Sequence, residues 1–196
     1  MKIFENRKQM LKHFTDQIGN ADILEIGVFK GEFLDFLVND CLHKIVDGVD
    51  LFSGCVGSGD HDGNNMSHQD MEIKYEELKK KYENDSLINL YKSYSSDYLI
   101  DCEDCKYDII YIDADHSYLG VKRDIELSYH KIKNGGFIMG HDYELNMNKC
   151  RTRWEFGTKQ AVDEFCEKYN QKIICKATDG CVSFCIQVSK WFLYLI

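Results

Sequence analysis

Along this chain the apolar residues keep changing their spacing: short unbroken runs alternate with stretches in which every third or fourth position is apolar. The runs at 23–26, 44–50, 87–91, 107–112 and 137–140 are short and bounded by turn residues, as expected of strands buried in a parallel sheet. Residues 5–18 place Met10, Leu11, Phe14 and Ile18 on one helical face, and Phe33, Leu34, Phe36, Leu37 and Cys41 do the same after the first run. A charged helix is expected over 70–82. Further helices are expected from Ser117 (Val121, Ile125, Ile132) and from Thr158 (Ala161, Val162, Phe165). Ser95-Ser96-Asp97 has the composition of a helix cap, and Asn134-Gly135-Gly136 that of a left-handed helix stop. Finally, 172–177 and 182–188 flank Asp179-Gly180, a strong hairpin signal. The pattern predicts a doubly wound α/β sheet of seven strands with helices on both faces, the last strand reversed in a terminal β-hairpin. One domain over 1–196 is expected.

Ligands of such sheets sit beyond the carboxyl ends of the strands, and the polar residues that follow the predicted strands belong there. The first strand runs into Glu25, Gly27, Phe29 and Gly31, the second into Asp50 and Leu51, and the third leads to Ser96 and Asp97. The fourth ends in Asp113-Ala114-Asp115-His116 and the fifth in His141-Asp142. These two clusters fall on neighbouring strands, and unpaired buried charge is too costly for packing alone to explain them. Asp50 is placed to take both hydroxyls of a ribose, a feature shared by dinucleotide and other nucleoside folds. A dinucleotide site would read G-x-G-x-x-G, but the place of its first glycine is taken by Glu25, whose carboxylate would repel a pyrophosphate. The pattern E-x-G-x-x-x-G instead resembles the first motif of the class I S-adenosylmethionine (SAM) dependent methyltransferases, which implies a Rossmann-like fold. SAM carries a positive sulfonium and no phosphate, so an acidic pocket suits it.

Composition narrows the field further. The 196 residues carry a formal net charge of −9, which argues against nucleic acid as a partner. No apolar run reaches the length of a membrane span, and the charged N-terminus lacks the apolar segment of a signal peptide. Nine cysteines, an odd number, read as free thiols in a reducing compartment, so a cytoplasmic location is expected. Cys102-x-x-Cys105 is the only C-x-x-C pair and lacks two further ligands at matching spacing, so it is read as buried small hydrophobes rather than zinc. Residues 52–69, with His61 and His68, read as a mobile loop near the strand ends, and Lys79–Lys81 as a solvated face. The tail 190–196 is expected either to pack on the domain or to form a homodimer contact.

The resemblance becomes specific in three places. Residues 112–125 (IDADHSYLGVKRDI), 135–143 (GGFIMGHDY) and 161–165 (AVDEF) resemble a branch of small class I O-methyltransferases acting on hydroxyls of sugars and secondary metabolites. That resemblance implies SAM as cofactor, held by Glu25, Gly27, Phe29, Gly31, Asp50, Leu51, Ser96, Asp97 and Asp113. Relatives in the catechol and caffeoyl-coenzyme A group hold a divalent cation (Mg²⁺ or Mn²⁺) with an Asp after the fourth strand and an Asp-Asn pair after the fifth. Carried over, Asp113 and Asp142 would be ligands. Tyr143 stands where Asn is found, and Asp115 or His141 would complete the shell. His116 or His141 is the candidate general base, with an Asp to orient the ring. Asp115, Tyr118, Tyr143, Arg151 and Arg153 are candidate acceptor contacts, the two arginines (with Lys149) suiting an anionic or nucleotide-linked sugar; Phe52 and Trp154 add aromatic surface. The chain has no proline, hence none of the N-P-P-Y or D-P-P-Y signatures of enzymes that methylate exocyclic amines. The expectation is O-methylation of a sugar or glycan hydroxyl. A phenolic natural product and a non-catalytic SAM-binding domain are the alternatives.

Overall fold

In the computed structural model, residues 1–54, 66–145 and 157–190 are described. The elements run β1 (Lys2–Phe4), α1 (Arg7–Ile18), β2 (Ala21–Ile26), α2 (Glu32–Asp40), β3 (His43–Asp50), α3 (His68–Tyr82), β4 (Ile88–Lys92), α4 (Ser95–Asp101), β5 (Tyr107–Ile112), α5 (Tyr118–Lys131), β6 (Ile132–Leu145), α6 (Thr158–Lys168), β7 (Ile173–Ala177) and β8 (Cys181–Gln187). All eight strands join one sheet in the order β1-β7-β8-β6-β5-β2-β3-β4. Strands β3, β2, β5 and β6 pair in parallel, and β8 runs antiparallel to both β6 and β7. The doubly wound sheet and its reversed terminal hairpin are as the sequence predicts. The eighth strand is the addition: β1 pairs in parallel with β7 at the sheet edge and is too short to show a pattern.

Every residue of β2 is buried, so its apolar run hides a period of two. Ile23 joins Met10, Leu11, Phe14 and Leu34 in a core under α1 and α2, while Leu24 and Ile26 face Val121, Ile125 and Phe165 under α5 and α6. Glu25 therefore sits on the α1–α2 face of the sheet.

Local chemistry moved several boundaries. Helix α1 begins at Arg7, because the Asn6 side chain accepts the Gln9 N–H and caps it. Helix α5 stops at Lys131, before the Asn-Gly-Gly stretch, where the cap N–H of Ile132 closes on Ser128. Gly135, at φ +84°, instead bends the opening of β6. Helix α4 lacks a side-chain cap; Ser95 Oγ turns away to Asp124 at 2.7 Å. Cys102 and Cys105 carry free thiols, as do Cys41, Cys175 and Cys185 in the core. Among the described residues no helix is long and apolar enough to cross a membrane.

Candidate active site

Three loops meet at the carboxyl ends of β2, β3 and β5. The β2–α2 loop is built from left-handed residues, Gly27 at φ +94°, Phe29 at +51° and Gly31 at +84°. Gly27 is there for space as well as conformation, since a Cβ would lie 2.2 Å from the carbonyl oxygen of Asp113. Asp50 holds the loop: its two carboxylate oxygens accept the N–H groups of Phe29 (2.8 Å) and Phe52 (2.6 Å), and Leu51 lies half-buried between them. Glu25 is 1% exposed, and its Oε2 has no hydrogen-bond partner among the described residues. Burial, with the charges of Asp113 and Asp50 adding to it, pushes the Glu25 carboxyl well above the ordinary carboxylate range. Ser96 and Asp97 lie in the first turn of α4 and line separate surface grooves, Asp97 beside Tyr91 and Tyr98, Ser96 beside Ile100 and Leu119.

The ends of β5 and β6 carry a second, continuous cluster. Asp113 Oδ2 accepts the Arg7 guanidinium at 2.8 Å, and Asp113 Oδ1 is 3.8 Å from His141 Nδ1. Asp142, buried and at φ +58°, lies 3.1 Å from His141 Nδ1 through one oxygen and 3.0 Å from His116 Nδ1 through the other. Burial opposes ionisation of all three groups. The paired hydrogen bonds and opposite charges outweigh it, holding Asp142 far below the usual carboxylate range and raising both imidazoles. The geometry thus brings together four of the residues the sequence singles out, from two strand ends that are neighbours in the sheet.

Other expected contacts point elsewhere. Asp115 accepts the Ser117 N–H at 2.8 Å and packs on Gly120, so it shapes the entry of α5. The Tyr118 hydroxyl bonds Glu164 at 2.6 Å, with Lys122 on the same oxygen. Tyr143 is buried and donates to Asp163 at 2.6 Å with Lys159 beside it; burial and the Asp163 bond push its phenol up to about 12. Its hydroxyl belongs to the β6–α6 packing and not to the Asp113–Asp142 cluster. Lys149, Arg151, Arg153 and Trp154, His61, and the tail beyond Lys190 lie outside the described residues. Gly157, the first described residue after that gap, donates its N–H to the His116 carbonyl at 3.0 Å.

Arg7 is the participant that sequence reasoning did not find. It is the first residue of α1, after the Asn6 cap, and its guanidinium reaches Asp113 across the Phe33 ring at 5.2 Å. A first-turn arginine that opposes the helix dipole was the available signal. Among the described residues, Asp113, His141 and Asp142 are the group able to hold a metal ion, with ligand atoms all within 4.8 Å of one another.

A family model described as a methyltransferase domain matches residues 24–143, the span from β2 through both clusters. A comparison with curated proteins found no match. Among solved structures, the O-methyltransferase NovP is 16% identical, with 94% of this chain and 80% of that chain covered and a TM-score of 0.63. The O-methyltransferase from Bacillus cereus, solved with SAH, is also 16% identical over 94% of this chain and 80% of that chain, at a TM-score of 0.61. The N-methyltransferase NodS from Bradyrhizobium japonicum WM9 is 14% identical, with coverages of 94% and 95% and a TM-score of 0.64. At such identities the likeness is one of fold, and it spans enzymes that methylate both oxygen and nitrogen.

Proposed function

We propose that this chain, which belongs to the methyltransferase-domain family matched over residues 24–143, transfers the methyl group of SAM to a hydroxyl oxygen. The observation that carries this reading is the pairing of His116 Nδ1 with buried Asp142 Oδ2 at 3.0 Å, beside a glycine-lined loop. The loop suits the cofactor: Asp50 stands where ribose hydroxyls are taken, and Glu25 presents a buried oxygen with no partner of the protein's own. When bound, SAM supplies an electrophilic methyl on a cationic sulfur, and the acids around the loop favour that charge.

A hydroxyl is a weak acid and needs a base. With its Nδ1–H donated to Asp142, the neutral His116 ring carries its basic lone pair on Nε2. That nitrogen would take the acceptor's proton as the methyl's bond to sulfur gives way to one with the acceptor oxygen and S-adenosylhomocysteine leaves, and Asp142 would stabilise the imidazolium. The loop and the cluster contribute alignment as well, since methyl transfer is an in-line displacement. An arrangement with two imidazoles on one carboxylate suits an alcohol better than an already acidic phenol, so the acceptor we assign is a sugar or glycan hydroxyl. Asp113, His141 and Asp142 would also hold a divalent cation, the two carboxylates suiting Mg²⁺ or Mn²⁺ and the imidazole favouring Mn²⁺ of the two. Such a cation would lower the pKa of the acceptor hydroxyl.

Calorimetry with S-adenosylhomocysteine (SAH) and with NAD, in Mn²⁺ and again in EDTA, tests the cofactor and the metal together. Binding of SAH without NAD is expected; the reverse sinks the reading. Cation heat in the wild type that vanishes in Asp113→Ala identifies the cation site. For the acceptor, release of SAH from SAM over a panel of sugars, nucleotide sugars and phenols is the assay. Turnover confined to phenols removes the sugar assignment.

A further inference from the structure

The three side chains able to hold a cation all have partners of the protein's own. Asp113 Oδ2 accepts Arg7 Nη1 at 2.8 Å. His141 Nδ1 lies 3.1 Å from one oxygen of Asp142, and His116 Nδ1 lies 3.0 Å from the other. The two carboxylates thus face one guanidinium and two imidazoles, and a divalent ion entering among Asp113, His141 and Asp142 has to displace a group already there. Arg7 is the group that can leave. His141 belongs to the ligand set, and His116 follows β5 as Asp113 does, so both stay at the centre by their place in the chain. Arg7 comes from the first turn of α1, 106 residues from Asp113, and its side chain keeps 29% exposure, so rotation about its flexible stem takes the guanidinium into water. The helix need not move with it, because the Arg7 backbone N–H is held by Asp179 at 3.1 Å. Nor does α1 itself call for an arginine there, since a cation in the first turn opposes the helix dipole. The Phe33 ring, 5.2 Å from the guanidinium, and the Tyr111 hydroxyl beside it aim the group at Asp113.

We propose that Arg7 is the built-in counter-ion of this centre and competes with a divalent cation for Asp113, so that the cation enters only at a concentration high enough to displace it. The inference rests on the cation reading above and concerns the control of that same site. A guanidinium and a divalent ion on one carboxylate repel each other, and over about 5 Å that repulsion is worth roughly tenfold in affinity even at the dielectric constant of water. Two states of the centre follow. With Arg7 on Asp113 the protein supplies the balancing charge itself; with the cation bound, the guanidinium turns outward while α1 stays in place. An arginine that merely oriented Asp113, as hydrogen-bond donors behind a ligating carboxylate do, would strengthen cation binding instead, so the two roles differ in sign.

Calorimetric titration of Mn²⁺ into EDTA-treated, dialysed wild type, Arg7→Met and Arg7→Lys tests this. Arg7→Met is expected to bind Mn²⁺ about 10–100-fold more tightly than wild type, and Arg7→Lys, which keeps the charge, to stay near wild type. Adding Asp113→Ala to Arg7→Met should remove the gain. A second arm needs no variant and decides the matter where Arg7→Met fails to fold by circular dichroism. In the wild type, Mg²⁺ should shift the NMR signal of the Arg7 Nε–H and leave that of its backbone N–H, bonded to Asp179, where it was. Equal or weaker Mn²⁺ binding by a folded Arg7→Met, or an Arg7 side-chain signal that stays put through the Mg²⁺ titration, overturns the competition. If wild type nevertheless binds Mn²⁺, the cation site itself stands. Absence of Mn²⁺ binding from both wild type and Arg7→Met overturns the cation reading and the proposal together, and SAH binding by the same samples leaves the SAM reading intact.

Discussion

Asp142 bonds two imidazoles at once, His116 at 3.0 Å and His141 at 3.1 Å, and this sets the pH behaviour of the site. Both histidines are raised, so their contribution to stability is complete below the unfolded pKa of about 6.5 and is lost as pH rises through their folded values. Asp142 is lowered, so its contribution is present above about 3.9 and is lost as pH falls toward its folded value. Asp142→Asn, tolerated at φ +58° because Asn also visits the left-handed region, should therefore cost most stability near pH 4–6.5 and less above it. Thermal melts across pH read this, and an NMR titration should show both imidazoles falling toward their ordinary values. A flat difference across pH would break the link. Glu25 has the opposite sign: its carboxyl is raised, so ionisation penalises the fold above about pH 4.3. Glu25→Gln should melt higher than wild type at neutral pH without ligand, match it in acid, and bind SAH about tenfold more weakly. Most of these residues were legible because acids and histidines stand directly after apolar runs. Arg7 was not, because nothing in its neighbourhood along the chain says that α1 crosses the sheet to Asp113.

The elements were legible where burial sets a period and less so where turn geometry decides. β2, β5 and β6 lie in two-faced burial and announce themselves, whereas the three residues of β1 are too few for any period, and Ile3 is exposed. Gly135 has the chemistry of a helix stop, yet α5 closes three residues earlier on Ser128, so the glycine serves the strand instead. The β2–α2 loop offers a comparison between two glycines of like φ. At Gly27 a methyl group would meet the Asp113 backbone at 2.2 Å, which cannot yield without moving the end of β5. At Gly31 it would meet the Leu78 side chain at 2.4 Å, which can turn aside. Both substitutions bear the cost of a positive φ, roughly 1 kcal/mol, but Gly27→Ala should lose about 2–4 kcal/mol in urea unfolding, and Gly31→Ala about half of that. Gly27→Ala should also abolish SAH binding, since it displaces Asp113. Equal losses at the two positions would mean that the loop, and not the β5 end, absorbs the change.

On the scale of the whole molecule, the sheet order is what makes one site of distant residues, because β5 and β2 are neighbours although three helices and two strands separate them in the chain. The N-terminal segment then ties this centre to the far edge. The backbone N–H of Arg7 donates to Asp179 at 3.1 Å in the β7–β8 turn, its guanidinium reaches Asp113, and β1 adds to β7. These attachments differ in weight. Removing residues 1–4 deletes an edge strand of three residues, two of them exposed, and should lower stability by about 1 kcal/mol while leaving Arg7 and SAH binding in place. Removing residues 1–18 also deletes the buried side chains of Met10, Leu11 and Phe14, the last packed on Phe137 with ring centroids 4.3 Å apart. Each is worth about 1.5–3 kcal/mol of burial, so their joint loss approaches the 5–15 kcal/mol that holds a typical domain. The longer truncation should show no cooperative urea transition and no SAH heat, whereas the shorter one shows both. A shorter truncation that folds but no longer binds SAH would mean that β1 is part of the binding machinery.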